Sequence, residues 1–268
     1  MPINKKVVII TGASSGIGAA VARRLARDGM RLTLAARRLD RLQQVADEVM
    51  ALGGEAIVKQ TDVRNREDIE MMINAAVDRW ERIDVVFNNA GMGHDKFLVR
   101  MKPEKLRDEI HTNLTAVIEV AQAVMPVMLR QKSGHIINVA SLAGVIAMPG
   151  SSIYCATKYG VNGFSDALRR ELRGTGIKVS AFCPGFTPSE INPSLKAIAE
   201  GQPGARHPPG LMPVTYVADQ VAQLIRHPQS RVVIPYSWRL LVIFAFFFPG
   251  LIDIFLPLFL GKDTLKKK

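Results

Sequence analysis

A chain of 268 residues with 48% hydrophobic side chains can form one large α/β domain or two small ones, and it can bury a sizeable core. Two cysteines, Cys155 and Cys183, exclude a disulfide framework and a cysteine-based metal centre, and they suit a reducing compartment. The net charge of +11 implies an anionic partner: nucleic acid, a lipid headgroup surface or a phosphorylated ligand. The basic residues are scattered apart from Arg37-Arg38, Arg169-Arg170 and Lys266–Lys268. With no long basic stripe and no interleaved aromatic platform, nucleic acid is set aside.

Met1 to Lys6 leads directly into the apolar run Val7–Ile10 without a hydrophobic leader, so a cytoplasmic protein is expected rather than a secreted one. Val7–Ile10 shows no polar alternation, the pattern of a strand covered on both faces of a parallel sheet. Ile17–Asp28 follows with helical periodicity, and the exchange repeats down the chain. Strands are predicted at Arg31–Ala36, Glu55–Lys59, Ile83–Phe87, Gly134–Ala140, Lys178–Phe182 and Val232–Ile234. Helices are predicted at Leu39–Leu52, Arg66–Trp80, Pro103–Arg130, Ser152–Arg173 and Thr215–Ile225. Such alternation gives one doubly wound α/β domain over residues 1–236, a parallel seven-stranded Rossmann sheet with helices on both faces.

Two segments break the rhythm. Residues 184–213 are rich in Pro, Gly and polar side chains around a predicted short helix Pro193–Glu200, and they read as a substrate-covering loop. Residues 237–268 form an apolar tail with a basic end. Leu240–Leu260 is apolar apart from Asp253 and is interrupted by Pro249, Gly250 and Pro257. Two readings of the tail stand open. It inserts at a membrane surface on the cytoplasmic face, with Arg239 and Lys262–Lys268 at lipid phosphates. Alternatively, it packs over the cleft or forms an oligomer contact.

Gly12, Gly16 and Gly18 sit where the first strand turns into the first helix, so the backbone can turn tightly and approach a pyrophosphate at the helix N-terminus. The second strand ends in Ala35-Ala36-Arg37-Arg38, with no acid to bind a ribose 2′-hydroxyl. A guanidinium fork at Arg37, helped by Arg38, suits a 2′-phosphate, which favours NADP(H) over NAD(H). Tyr154 and Lys158 lie four residues apart and share a helix face, so the ammonium favours the phenolate of a group that otherwise ionises near pKa ~10. Ser141 offers a hydroxyl to the same substrate oxygen. These three form an acid/base site for carbonyl–alcohol interconversion.

Thr11 to Gly18, Asn88-Asn89-Ala90-Gly91, Asn113, Ser141, Tyr154, Lys158 and Pro184-Gly185 occur in an order and spacing that resembles the short-chain dehydrogenases/reductases, from about Val7 to Pro235. The resemblance implies that Ser14, Ser15 and Ile17 join the glycines of the loop in holding the cofactor. It places Asp62 and Val63 at the adenine, and Asn89, Ala90 and Gly91 along the adenosine. Tyr154 and Lys158 contact the nicotinamide half, with Lys158 on the ribose hydroxyls, and Pro184-Gly185 turns beneath the ring. The carboxamide contact is open between Thr187 and Ser189, because the family's usual threonine position holds Ser189 here. Asn113 matches the family's asparagine that holds a water for proton relay.

Three functions follow as expectations. The first is an NADP(H)-dependent oxidoreductase acting on an apolar lipid-, steroid- or retinoid-like substrate, working as a homodimer or homotetramer. The second is a soluble 3-oxoacyl reductase of fatty-acid metabolism. The third is a non-catalytic dinucleotide-binding scaffold. The Asn–Ser–Tyr–Lys set argues against the scaffold, and the apolar tail favours the first reading over the second.

Overall fold

The structure, a computed structural model, describes residues 5–94, 96–189 and 210–260, the last six without side chains. Seven strands form one parallel sheet: β1 (Val7–Thr11), β2 (Arg31–Ala36), β3 (Glu55–Gln60), β4 (Val85–Asn88), β5 (Gly134–Val139), β6 (Ile177–Pro184) and β7 (Arg231–Ile234). Their spatial order, β3-β2-β1-β4-β5-β6-β7, reverses direction between β1 and β4. Connections therefore leave the two central strands towards opposite edges, and a crevice opens beyond their carboxyl ends.

The helices are α1 (Gly16–Ala26), α2 (Leu39–Ala51), α3 (Arg66–Trp80), α4 (Pro103–Ile110), α5 (Ala116–Gln131), α6 (Ser152–Glu171) and α7 (Val214–Arg226), then the tail helices α8 (Trp238–Phe247) and α9 (Pro249–Leu260). Strand β1 shows why its sequence lacks alternation. Val8 and Ile10 face Val21 and Leu25 of α1 and Val217 and Val221 of α7, while Val7 and Ile9 face Ile69 and Met72 of α3 and Val120 of α5. All four strand residues are fully buried. The expected fold is the observed one.

Several boundaries differ, each for a physical reason. Strand β4 begins at Val85 rather than Ile83 because Gln131 takes both main-chain groups of Ile83, accepting from its N–H at 2.9 Å and donating to its carbonyl at 2.8 Å. The helix expected over Pro103–Arg130 is divided by a π turn, His111–Thr115, between α4 and α5. Among the described residues this stretch, Pro103–Gln131, is the one helical segment long and apolar enough to cross a bilayer. Its apolar side is instead buried against the sheet, through Val117, Val120, Val124 and Met128. The short helix expected at Pro193–Glu200 lies outside the described residues.

A third apolar cluster sits at the β6–β7 side of the catalytic end, where Leu142, Ile146, Cys183 and Val233 are covered by Trp238, Leu241 and Val242 of α8. The sheet is complete at β7, yet one side of the tail packs half-buried on the domain. Phe87, fully buried on β4 immediately before Asn88 and Asn89, couples the packing to the site. Phe87→Ala should cost about 3–5 kcal/mol in urea unfolding with an unchanged slope. A loss below about 1 kcal/mol would mean that the two faces are not held through this ring.

Candidate active site

At the end of β1 the backbone enters left-handed conformations, φ +67° at Gly12 and +54° at Gly16, which L side chains adopt only with strain. Gly18 is constrained differently: a β-carbon there would lie 2.3 Å from the Gly12 carbonyl oxygen and 2.8 Å from Asn89 Nδ2. The loop is thereby pulled flat against β4, and α1 starts on the wall of a cleft of about 430 Å³. Helix N-terminal N–H groups and a backbone without side chains suit a pyrophosphate.

The cofactor residues expected in the adenosine half line this cleft, Gly18 excepted: Gly12, Ser14, Ser15, Gly16 and Ile17 from the loop, Arg37 and Arg38 after β2, Asp62 and Val63 after β3, and Asn89, Ala90 and Gly91 after β4. The two arginines differ in their anchoring. Arg38 Nη2 donates to Ser14 Oγ at 3.2 Å and to Ser15 Oγ at 3.0 Å, which ties it to the phosphate loop. Asp62 is chelated by Arg64, with Nη2 to Oδ2 at 2.6 Å, and those hydrogen bonds hold its carboxyl below the usual carboxylate range.

Two residues outside the expected site set help to build the cleft. Thr11 is fully buried, and its Oγ1 accepts from the N–H groups of both Asn89, at 2.9 Å, and Ala90, at 3.0 Å. Arg64 lines the same cleft and also reaches Asp108 at 3.0 Å. Their signals lie in pairings across 78 and 44 positions, beyond the reach of periodicity.

The cleft runs into a second cavity of about 180 Å³, and Ile17, Asn89, Gly91, Gly93 and Ser189 line both. Ser141, Tyr154, Lys158, Pro184, Gly185 and Thr187 line the second. Ser141 follows β5 and caps a single 3-10 turn, its Oγ accepting from Ala143 N–H at 3.1 Å. That contact uses a lone pair and not the hydroxyl proton. Tyr154 lies in the first turn of α6, and Lys158 is one turn further on, its Nζ 5.6 Å from the centre of the tyrosine ring. Lys158 Nζ donates to the Val139 carbonyl at 2.9 Å, and complete burial pulls its pKa down to about 8. Thr187 donates its hydroxyl proton to Gly185 O at 3.2 Å, while Ser189 stands at the junction of the cavities.

Asn113 sits in the π turn, fully buried, and its amide closes a two-way pair with Met92, accepting from N–H at 2.8 Å and donating to the carbonyl at 2.7 Å. The side chain thus clamps the segment after β4. One turn earlier on the same side, fully buried Glu109 meets His94 Nδ1 at 2.8 Å. Both ends of Met92–His94 are therefore pinned. Cys155 and Cys183 are buried packing groups, and burial raises both thiols, Cys183 to about 11.

Comparison with known proteins agrees with this geometry. Residues 6–199 match the family described as short chain dehydrogenase. The chain belongs to the short-chain dehydrogenase/reductase family. A 3-oxoacyl-[acyl-carrier-protein] reductase of Synechocystis sp. is 41% identical over 196 residues, covering 73% of this chain and 79% of the relative. An uncharacterized oxidoreductase of Listeria innocua is 37% identical over 234 residues, 86% of this chain and 94% of its own. Among solved structures, a short chain dehydrogenase/reductase from Burkholderia phymatum in complex with NAD superposes with a TM-score of 0.84 at 28% identity, covering 94% of this chain and 96% of that one. Actinorhodin polyketide ketoreductase with NADPH gives 0.78 at 31% identity, over 87% and 96% of the two chains.

In this short-chain dehydrogenase/reductase the dinucleotide cleft depends on the missing side chain at residue 18. Gly18→Ala should weaken dinucleotide binding at least tenfold, read by fluorescence titration of NADPH, because the added carbon meets backbone that cannot retreat. Unchanged affinity would show that the loop can open without loss.

Proposed function

We propose that the protein is an NADP(H)-dependent oxidoreductase that interconverts a carbonyl and an alcohol on an apolar small molecule, with Tyr154 as the acid/base group. The observation that carries this reading is one continuous cleft, with the glycine loop and two arginines at one end and Tyr154 above the buried Lys158 at the other. The residues fit a nicotinamide dinucleotide: Gly12, Gly16 and Gly18 make room for a pyrophosphate, and Arg37 and Arg38 supply cations where a 2′-phosphate would sit. When bound, that group supplies or accepts hydride.

The chain's own residues orient the substrate and move the proton. A carbonyl oxygen between Ser141 and Tyr154 accepts a hydrogen bond from the serine hydroxyl and then the tyrosine proton, leaving a phenolate. Lys158 offsets that negative charge. Leu142, Met148 and Phe186 give the catalytic cavity an apolar wall, which supports an apolar substrate. The scaffold reading loses ground here, because a scaffold has no need of a tyrosine whose phenolate an ammonium favours. The activity for which the Synechocystis relative is named favours a second reading, reduction of a 3-oxoacyl thioester. NADPH oxidation with long-chain ketones against 3-oxoacyl thioesters separates the two.

Tyr154→Phe should lower turnover by about 10²–10⁴-fold while NADPH affinity stays nearly constant, since only the transferable proton is lost. Near-normal turnover would remove Tyr154 from the role.

Arg38→Ala should raise the Kd for NADPH about tenfold to a hundredfold, the scale of a charge-assisted hydrogen bond, and leave NADH nearly unaffected. Arg37→Asp should move the preference further towards NAD(H). Equal weakening of both dinucleotides would locate the discrimination elsewhere.

The Lys158 charge is present below pH about 8 and lost above it. Carbonyl reduction, followed as kcat/KM, should therefore fall as pH rises through that value. Lys158→Met should be slow throughout and lack that inflection. An inflection that survives the substitution would belong to another group.

A further inference from the structure

The outer face of α8 and α9 plays no part in the chemistry above. Residues 240–252 read Leu-Leu-Val-Ile-Phe-Ala-Phe-Phe-Phe-Pro-Gly-Leu-Ile, thirteen in succession with no side chain able to hydrogen-bond. One side of this run, through Leu241, Val242, Ala245 and Ile252, packs on the third apolar cluster. The other side faces outward, with Leu240 77%, Phe246 80% and Phe247 67% exposed.

We propose that this outward face docks in the plane of a lipid bilayer surface and that the substrate enters the catalytic cavity from that side. The second half rests on the apolar-substrate reading above; the first stands without it.

Packing keeps the tail from crossing: Leu241, Val242 and Ala245 of α8 and Ile252 of α9 are held on the third apolar cluster of the domain. Helices of 10 and 12 residues are separated by a break at Phe248-Pro249. Each alone reaches about 15 or 18 Å at ~1.5 Å per residue, against a hydrocarbon core of about 30 Å. Two short apolar helices held on a domain lie in the interface.

Chemistry selects lipid over a protein partner. Protein interfaces carry about one hydrogen bond per 100–200 Å² and a polar rim, and this face can form no side-chain hydrogen bond over thirteen residues. Hydrocarbon asks for none. At the entry to α8, Arg239 lies 4.4 Å from the ring centre of the exposed Tyr236. Beyond α9 the sequence carries Lys262, Lys266, Lys267 and Lys268. Arg239 at the start of the apolar run and the lysines that follow it in sequence complement anionic headgroups.

Position links docking to the active site. Phe186 lines the catalytic cavity and meets Trp238 at the root of α8, with ring centres 6.0 Å apart and planes at 78°. Leu142 lines the same cavity and belongs to the cluster that α8 covers. Tail and cavity therefore share a wall, and a lipid-soluble carbonyl could pass along it without entering bulk water.

The test is flotation of the full-length protein with phosphatidylcholine–phosphatidylglycerol vesicles. The protein should rise with the vesicles and stay with them at about 1 M NaCl, where the Debye length is ~3 Å. The double variant Leu240→Asp/Phe246→Asp alters only outward side chains, so it should stay behind while binding NADPH as before. It should also keep the rate with a short water-soluble ketone and lose at least tenfold with a long-chain ketone held in vesicles. Wild-type protein that fails to float, or floats only at low salt, overturns the docking. So does a wild-type dimer that this variant dissolves, because a second copy would then cover the face. Equal rates for both proteins on the vesicle-borne ketone overturn the entry route. If wild type floats but reduces neither ketone, the docking stands and the functional reading falls.

Discussion

The crevice between β1 and β4 governs this structure, and its edges are joined by one hydroxyl. Thr11 Oγ1 accepts from two successive N–H groups after β4, and Asn89 Nδ2 returns a hydrogen bond to the Thr11 carbonyl at 3.0 Å. These contacts set how far apart the glycine loop and the Asn89–Gly91 segment stand. They also fix the width of the cleft that runs from Arg38 to Tyr154. Buried polar groups of this kind are costly when unpaired, so the pairing defines one spacing sharply.

The electrostatic counterpart is Lys158. Burying an ammonium is unfavourable, and the lowered pKa records that cost. A single carbonyl, that of Val139 at the end of β5, holds the ammonium in place. The ring of Tyr154, its centre 5.6 Å from Nζ, is the other group the ammonium faces.

The core was legible wherever burial was two-sided. Val7–Ile10 read as a strand because each face must be apolar, and the glycine loop and the Ser141, Tyr154 and Lys158 set read from fixed spacings. What escaped depends on partners far away in sequence. Nothing around Thr11 announces that Asn89 needs an acceptor. Helical periodicity over Pro103–Arg130 hides a turn wound more loosely than its neighbours. Arg37 and Arg38 are equivalent as letters, and only the two serine hydroxyls distinguish them. The tail presented two alternatives; the structure shows one side of it packed on the domain and the other exposed and apolar.

The π turn at His111–Thr115 changes how a change in chain length would be felt. Each α-helical residue advances the helix by about 100°, so one residue inserted or deleted rotates everything beyond it by more than a quarter turn. The wide turn absorbs one such step, keeping Glu109 and Asn113 directed at Met92–His94 while Val117, Val120 and Val124 face the sheet. Two different azimuthal phases are thus joined within one continuous rod. The site-facing half and the core-facing half can each keep their own register, and the junction between them is where this fold accommodates the mismatch.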